Sequence, residues 1–242
     1  GATRIEIGVQ SLQDRVYKIV NRGHDLNDVI DSFQISKDAG YKIVAHMMPG
    51  LPTMTPEGYI KDFETLFEDP RFKPDMLKIY PSLILKDTPL YDEYKDGKYA
   101  PYSDEDMLNV LTEVKKMVPK WVRIMRVQRE IAPVEIVAGP KMGNLRQIIH
   151  ENLAKQGFSC KCIRCREAGL AKKKVLEDEL KMERIDYEAS EGNEVFLSYN
   201  DSEDLTYGFL RLRKPSKKAH RKEISPDVAI VRELHVFGKA IE

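Results

Sequence analysis

"YKIVAHMMPGLPTMTPEGYIKDFETLFED", residues 41–69, decides the fold, because it holds one complete strand–turn–helix unit. "YKIVAHMMPGLP" reads as a strand that runs into a Pro/Gly turn. Thr55 follows as a helix N-cap, and Pro56 takes the first helical position, where a missing N–H is tolerated. Upstream, "RIEIGVQ" (4–10) alternates and is rich in Ile and Val, so it predicts a strand. "DLNDVIDSFQISKDAG" (25–40) has near-helical apolar spacing, Asp25 or Asn27 as cap and Gly40 as stop. Downstream, "MLKIYPSLIL" (76–85) predicts a third strand, "YSDEDMLNVLTEVKKMV" (102–118) a helix capped by Ser103, and "WVRIMRVQ" (121–128) a fourth strand. Residues 1–130 therefore read βαβαβαβ, an alternation that implies a parallel sheet or barrel with helices outside. Ligands of such folds bind where strands end and loops begin.

Beyond a basic helix, "NLRQIIHENLAKQG" (144–157), the pattern changes. "KMERIDYEAS", "NEVFLSYND", "LTYGFLRLRKP" and "VAIVRELHVFG" predict four strands joined by short polar loops, which is an antiparallel sheet and a second domain. We place its boundary near 166–176 and expect three parts: 1–140, a linker over 141–175, and 176–242. The chain opens on a strand edge without Met and stops at Glu242 just after a strand, so a piece cut at both ends is expected.

With 242 residues, 42% hydrophobic and 32% charged, the chain can bury a core and stay in solution. No apolar run approaches the roughly 20 residues of a membrane span, and no secretory leader is visible. The net charge of zero hides blocks: residues 115–174 hold 15 Lys/Arg against 4 Asp/Glu, and "RLRKPSKKAHRK" (211–222) holds 7 Lys/Arg and no acid. Such blocks mark a polyanion-binding face or solvated helix faces. All three cysteines lie in "CKCIRCRE" (160–167), as Cys160, Cys162 and Cys165. This is no disulfide framework, and it suits a reducing, cytoplasmic setting. Clustered thiolates suit zinc, which wants four ligands, with His150 one candidate for the fourth; free thiols and an iron–sulfur site are the alternatives.

"EIGVQS" (6–11), "NRGH" (21–24) and "HMMPGLP" (46–52) together resemble the second half of a radical S-adenosylmethionine (SAM) barrel. That resemblance implies SAM contacts by Gln10 and Arg22 and at the "PGLP" turn through His46 and Gly50, with His46 standing where relatives often carry Asp. "LKIYP", "RVQREI", "GNLR", "IRCREAG", "FLSY", "LRLRKP" and "IVRELHVFG" extend the match in order over essentially the whole chain. They are similar to the Elongator catalytic-subunit family, which couples a radical SAM (partial TIM) barrel through a Cys-rich linker to a GNAT-type acetyltransferase domain of α+β type. The resemblance implies tRNA wobble-uridine C5 modification of carboxymethyl type. In it a deoxyadenosyl radical from SAM abstracts hydrogen from acetyl-CoA, and the carbon radical attacks the uridine. A [4Fe–4S] cluster would be held by residues outside this chain, and zinc by the three cysteines.

Lys78 and Tyr80 of "LKIYP" are the catalytic candidates, and main-chain groups of Leu234, His235 and Val236 would pair with CoA. The basic belt of Lys120, Arg123, Arg126, Arg129, Lys141, Arg146, Lys161, Arg164 and Arg166 would take the tRNA anticodon loop. A homodimer or Elongator-type partner subunits are expected assemblies. The other readings are a non-catalytic tRNA-binding zinc fragment and a protein (histone) acetyltransferase.

Overall fold

A computed structural model of the chain describes residues 1–129, 131–171, 179–225 and 227–237. Two four-stranded sheets dominate it. The first is all parallel, in the order β1 (Arg4–Gln10), β2 (Lys42–Met47), β3 (Met76–Ile79) and β5 (Arg123–Arg126). The helices α2 (Leu26–Asp38), α3 (Pro56–Glu68), α5 (Asp104–Met117) and α6 (Leu145–Lys155) supply its connections and cover. Their starts follow the sequence: Asp25 forms a capping box with Asp28, Thr55 caps α3 ahead of Pro56, and Ser103 caps α5. Gly40 and Gly157 end α2 and α6 with φ of 86° and 74°, a region open to Gly at little cost.

Side chains alternate across a strand, and here the two faces differ in kind. Val9, Ile43, Ala45, Met47, Leu77, Ile79 and Ile124 form one core with the helices. Glu6, His46, Lys78 and Tyr80 stand on the face opposite that helix-packed core. "MLKIYPSLIL" does not form one strand: Pro81 lies between β3 and a two-residue strand, β4 (Ile84–Leu85), which pairs with β6 (Ile136–Ala138). The helices α1 (Asp14–Ile19) and α4 (Pro89–Lys95) also stand outside the sequence reading.

The second sheet is antiparallel, β10 (Ile230–Val236), β9 (Thr206–Lys214), β8 (Gly192–Asn200) and β7 (Lys181–Ala189), as its alternation predicts. Residues 172–178, within the expected boundary stretch, lie outside the described residues. This sheet seats against the N-terminal ends of the parallel strands through buried charge. Arg232 binds Asp75 at 2.7 and 2.8 Å and Glu194 at 2.7 Å. Arg213 binds Asp38 and Glu194, and Arg211 reaches Glu233, Asp75 and the Trp121 carbonyl. Lys37 completes the set, donating to the Lys73 carbonyl 2.8 Å away. The expectation of a polyanion-binding surface across 211–222 is therefore corrected at its start: Arg211 and Arg213 are 1% and 0% exposed.

Candidate active site and metal centre

The face opposite the core carries a linked polar set. Lys78 on β3 donates to both Glu6 oxygens at 2.8 and 2.6 Å, and His46 Nε2 on β2 lies 2.8 Å from Glu6 Oε2. The Lys78 hydrogen bond, then the one to His46, holds the Glu6 carboxyl below its ordinary range. Tyr80 stands edge-on to His46, 5.6 Å between rings, and the Arg129 guanidinium lies 5.8 Å from the Tyr80 centroid. β-sheet register makes this set: His46 and Lys78 are direct neighbours, and Glu6 lies one strand over.

The loops at the strand ends are held from below. Asp62 of α3 accepts from Ser11 Oγ, Leu12 N and Gln13 Nε2, at 2.6, 2.9 and 3.0 Å. Tyr17 donates to the Val9 and Ser11 carbonyls. Gln10 takes a φ of 65°, and its carbonyl accepts from Met48 N and Tyr59 Oη. Gly50 is buried with φ of 85°, and a Cβ there would sit 3.5 Å from Tyr102 in a strained backbone. Arg22 donates to the Gly8 carbonyl at 2.8 Å and borders a cleft of about 400 Å³ with His24 and Asp28. A Cβ at Gly8 would come within 2.8 Å of Arg22 Nη2, so a larger residue there would displace the guanidinium from the Gly8 carbonyl. The structure thus brings Glu6, His46, Lys78 and Tyr80 into contact and seats Arg22 against β1.

Beside Arg129 opens a cavity of about 1050 Å³, between the end of β5 and the start of α6. Met125, Val127, Ile131 and Leu145 give it apolar walls, and Arg126, Arg129 and Arg146 give it positive charge. Arg126 and Arg129 meet no carboxylate among the described residues. Arg146 donates to the Ile124 carbonyl at 3.2 Å, and Lys141 is exposed beyond it. Most of the rest of the basic belt is engaged internally. Lys120 binds Glu183 and Asp204, Arg123 binds Glu167, and Lys161 reaches Asp204 at 3.5 Å. Arg166 is buried, donating to the Lys120 and Lys161 carbonyls and to Asp204. Arg164 is half-buried near Arg146.

The cysteines converge. The three Sγ atoms lie within 4.8 Å of one another, with Cys162 and Cys165 3.4 Å apart. Cys162 opens the short helix α7 (Ile163–Arg166), and the Ile163 N–H is tied to the Val122 carbonyl at 2.9 Å, so the loop hangs on β5. Hydrogen bonds from the Cys160 and Cys165 thiols push Cys162 toward the thiolate, and the same contact with Cys162 pushes Cys160 up. His150 Nε2 lies 3.6 Å from Cys165 Sγ and 2.6 Å from Nζ of Lys115, a buried cation of α5. Burial, then the charges of Lys115 and Arg146, pushes His150 down, toward the neutral imidazole. Three converging thiols with a neutral imidazole at their edge form a donor set that suits zinc.

Leu234, His235 and Val236 lie on β10, the outermost strand, so one edge of their main chain is unpaired within this sheet. His235 stacks on Phe209 at 5.6 Å.

Residues 1–66 match the Radical SAM superfamily, and 74–155 match the Radical_SAM C-terminal domain. The chain is 45% identical over 244 residues to the "tRNA uridine(34) acetyltransferase" of Methanocaldococcus jannaschii, across 99% of this chain and 45% of that protein. It is 43% identical over 244 residues to the Homo sapiens "Elongator complex protein 3", across 100% of this chain and 45% of that protein. The solved structure of Methanocaldococcus infernus Elp3 with an N-terminal deletion matches with a TM-score of 0.94 at 45% identity, over 98% of this chain and 57% of that one. Over its whole length this chain is a homologue of Elongator complex protein 3. It spans about half the length, 45%, of the curated relatives it matches.

For an Elongator-type chain the sequence reading missed two residues of the site. Glu6 lies in the quoted "EIGVQS", and strand alternation against the apolar Ile5 and Ile7 puts it on the polar face. Lys115 carried no such signal, because a lysine in the last turn of a helix is ordinary. The antiparallel sheet lies outside both family matches.

Proposed function

We infer that the protein carrying this chain modifies the wobble uridine of tRNA at C5, by a carboxymethyl-type reaction that draws on SAM and acetyl-CoA. In this reading the chain supplies the later half of the radical SAM barrel (1–140), a zinc-holding linker (141–175) and the first strands of a GNAT-type sheet (176–242). The observation that carries it is the Glu6–His46–Lys78–Tyr80 set on the polar barrel face, opening beside a cavity walled by apolar groups and arginines. A charged cofactor and a nucleic acid need those two environments side by side.

Bound SAM, with a [4Fe–4S] cluster held by residues outside this chain, supplies a carbon radical. Gln10, Arg22, His46 and Gly50 ring the strand ends where SAM would sit. Lys78 and Tyr80 lie one strand further and would face the acetyl group, the ammonium oriented by Glu6 and the phenol held against His46. Arg126, Arg129, Lys141 and Arg146 would take phosphates of the anticodon loop, while the apolar wall receives the displaced base. Main-chain groups of Leu234, His235 and Val236 would pair with the CoA arm. The zinc is structural: Cys160, Cys162 and Cys165 are 3 of its 4 ligands, and His150 is the candidate fourth once Lys115 releases its Nε2. A homodimer or Elongator-type partner subunits complete the assembly, in the cytoplasm.

The test is the whole protein, cluster-reconstituted under anaerobic conditions, with tRNA, SAM and acetyl-CoA. Deoxyadenosine release and modified uridine should both appear, and Lys78→Met should remove the uridine product while leaving tRNA affinity intact. Wild-type protein that binds tRNA and metal yet releases no deoxyadenosine would favour the second reading, a non-catalytic tRNA-binding scaffold.

A further inference from the structure

We propose that Glu6 is a positioning residue: it fixes the proton of His46 on Nε2 and thereby makes Nδ1 the acceptor for a hydroxyl of the nucleoside ligand bound at the strand ends. This rests on the reading of the polar face as the SAM site.

The logic is one of donors and acceptors. Lys78 Nζ lies 2.8 Å from one Glu6 oxygen and 2.6 Å from the other, so the group facing His46 is an ionised carboxylate, which only accepts. His46 Nε2 is 2.8 Å from Glu6 Oε2 and therefore carries the hydrogen. In the neutral tautomer with its hydrogen on Nε2, the lone pair is on Nδ1. Among the described residues nothing donates to it. The ring is held edge-on to Tyr80 and is 25% exposed, so the lone pair is available to a ligand. Such a site selects by chemistry. It takes an uncharged donor such as a ribose hydroxyl, and it offers nothing to a phosphate or carboxylate oxygen. Glu6 cannot take that hydroxyl as readily itself, because both its oxygens already face Lys78 and one also faces His46. It acts through the ring, as the second carboxylate does in many histidine–ligand pairs. Without it, the imidazole would sample both tautomers, and only one of them accepts through Nδ1.

The experiment has a spectroscopic arm and a binding arm. Whole cluster-free protein with ¹⁵N-labelled histidine is examined at pH 8 by nuclear magnetic resonance, with His46→Asn identifying the His46 signals. The expected spectrum shows a protonated Nε2 and an unprotonated Nδ1, and Glu6→Met averages the two. On cluster-loaded protein, calorimetry with SAM should show Glu6→Met weakening binding by about tenfold, the order of one hydrogen bond. The same substitution in a His46→Asn background should cost little more, because Glu6 works through the ring. A proton found on Nδ1 of the wild-type ring, or an undiminished Glu6→Met effect in the His46→Asn background, overturns the proposal. Wild-type protein that binds no SAM overturns the cofactor reading and the proposal with it, whatever the spectrum shows.

Discussion

Replacing Asp75 with Asn removes one charge from the centre of the joint between the two sheets. Asp75 is fully buried; it accepts from Ile43 N at 2.9 Å and from both Arg232 terminal nitrogens at 2.8 and 2.7 Å, with Arg211 Nη1 at 3.4 Å. Asn keeps the shape and one acceptor, but leaves two buried guanidinium groups facing Glu194 and Glu233 alone. Breaking a buried pair from one side costs about 3–5 kcal/mol. With a urea dependence of about 3 kcal/mol per molar, the upper part of the usual range, the unfolding midpoint should fall by about 1–1.7 M. The paired change Asp75→Leu with Arg232→Met removes one charge of each sign and leaves Lys37, Arg211 and Arg213 against Asp38, Glu194 and Glu233. It should cost clearly less than the two single changes summed. Urea titration followed by far-UV circular dichroism measures Asp75→Asn, the double variant and its two component single changes. A midpoint within about 0.3 M of wild type for Asp75→Asn, about 1 kcal/mol or less by the same slope, would refute the reasoning. So would a double variant as costly as the sum of its parts. Acid offers a second view. Arg232, Lys37 and Arg211 hold the Asp75 carboxyl far below its ordinary range against the opposing effect of burial. Its contribution is complete above the unfolded carboxylate value of about 3.9 and falls as pH drops below it. Wild-type stability should therefore decline more steeply below that pH than that of the Asn variant.

Lys37 gives a signature of the same sign at the alkaline end: burial pushes its ammonium down to about 8, so stability should rise as pH climbs from there toward the unfolded value of about 10.4, and Lys37→Met should flatten that rise in thermal melts. Elemental analysis should find about one zinc per chain, lost in Cys162→Ser, with a melting temperature lower by about 5–10 °C if the clasp contributes a few kcal/mol. Arg126→Ala with Arg129→Ala should weaken tRNA binding and lower its log–log salt slope by about one for each phosphate no longer neutralised. Arg166→Ala should instead lower the melting temperature, because it leaves the Lys120 and Lys161 carbonyls without their donor and takes one of three cations from Asp204; a tRNA defect without a stability change would contradict that assignment. Thr55→Ala should cost about 1 kcal/mol in urea unfolding through loss of its bond to Gly58 N.

Where local chemistry decides, the sequence was readable. Ser103, Thr55 with Pro56, and Gly40 each name a helix end, and strand alternation in "RIEIGVQ" gives both the element and its polar face. The three-cysteine spacing likewise pointed to one cluster, and the thiols do converge. What could not be read depends on partners far along the chain. Arg211, Arg213 and Arg232 look like surface charge until Asp38, Asp75 and Glu194 are placed against them. For the same reason half of the basic belt read as free cation: Lys120 and Arg166 are basic in sequence and neutralised in space by Glu183 and Asp204. "MLKIYPSLIL" was read as one strand because its apolar run is continuous. The Pro81 ring cannot donate to a ladder, and the segment past it pairs with β6 instead.

The joint between the sheets also sets an order of events during synthesis. Asp75 and Arg232 are 157 residues apart, and Asp38 and Arg213 are 175. At about 5–20 residues per second, the acids leave the ribosome roughly 10–30 s before their arginines. Until then the carboxylates stay hydrated, and the lower rim of the parallel sheet has nothing to close against. The nascent barrel must wait open, its rim available to chaperones and to other chains. Of the strands in this joint β10 emerges last, and it brings the arginine that closes the rim.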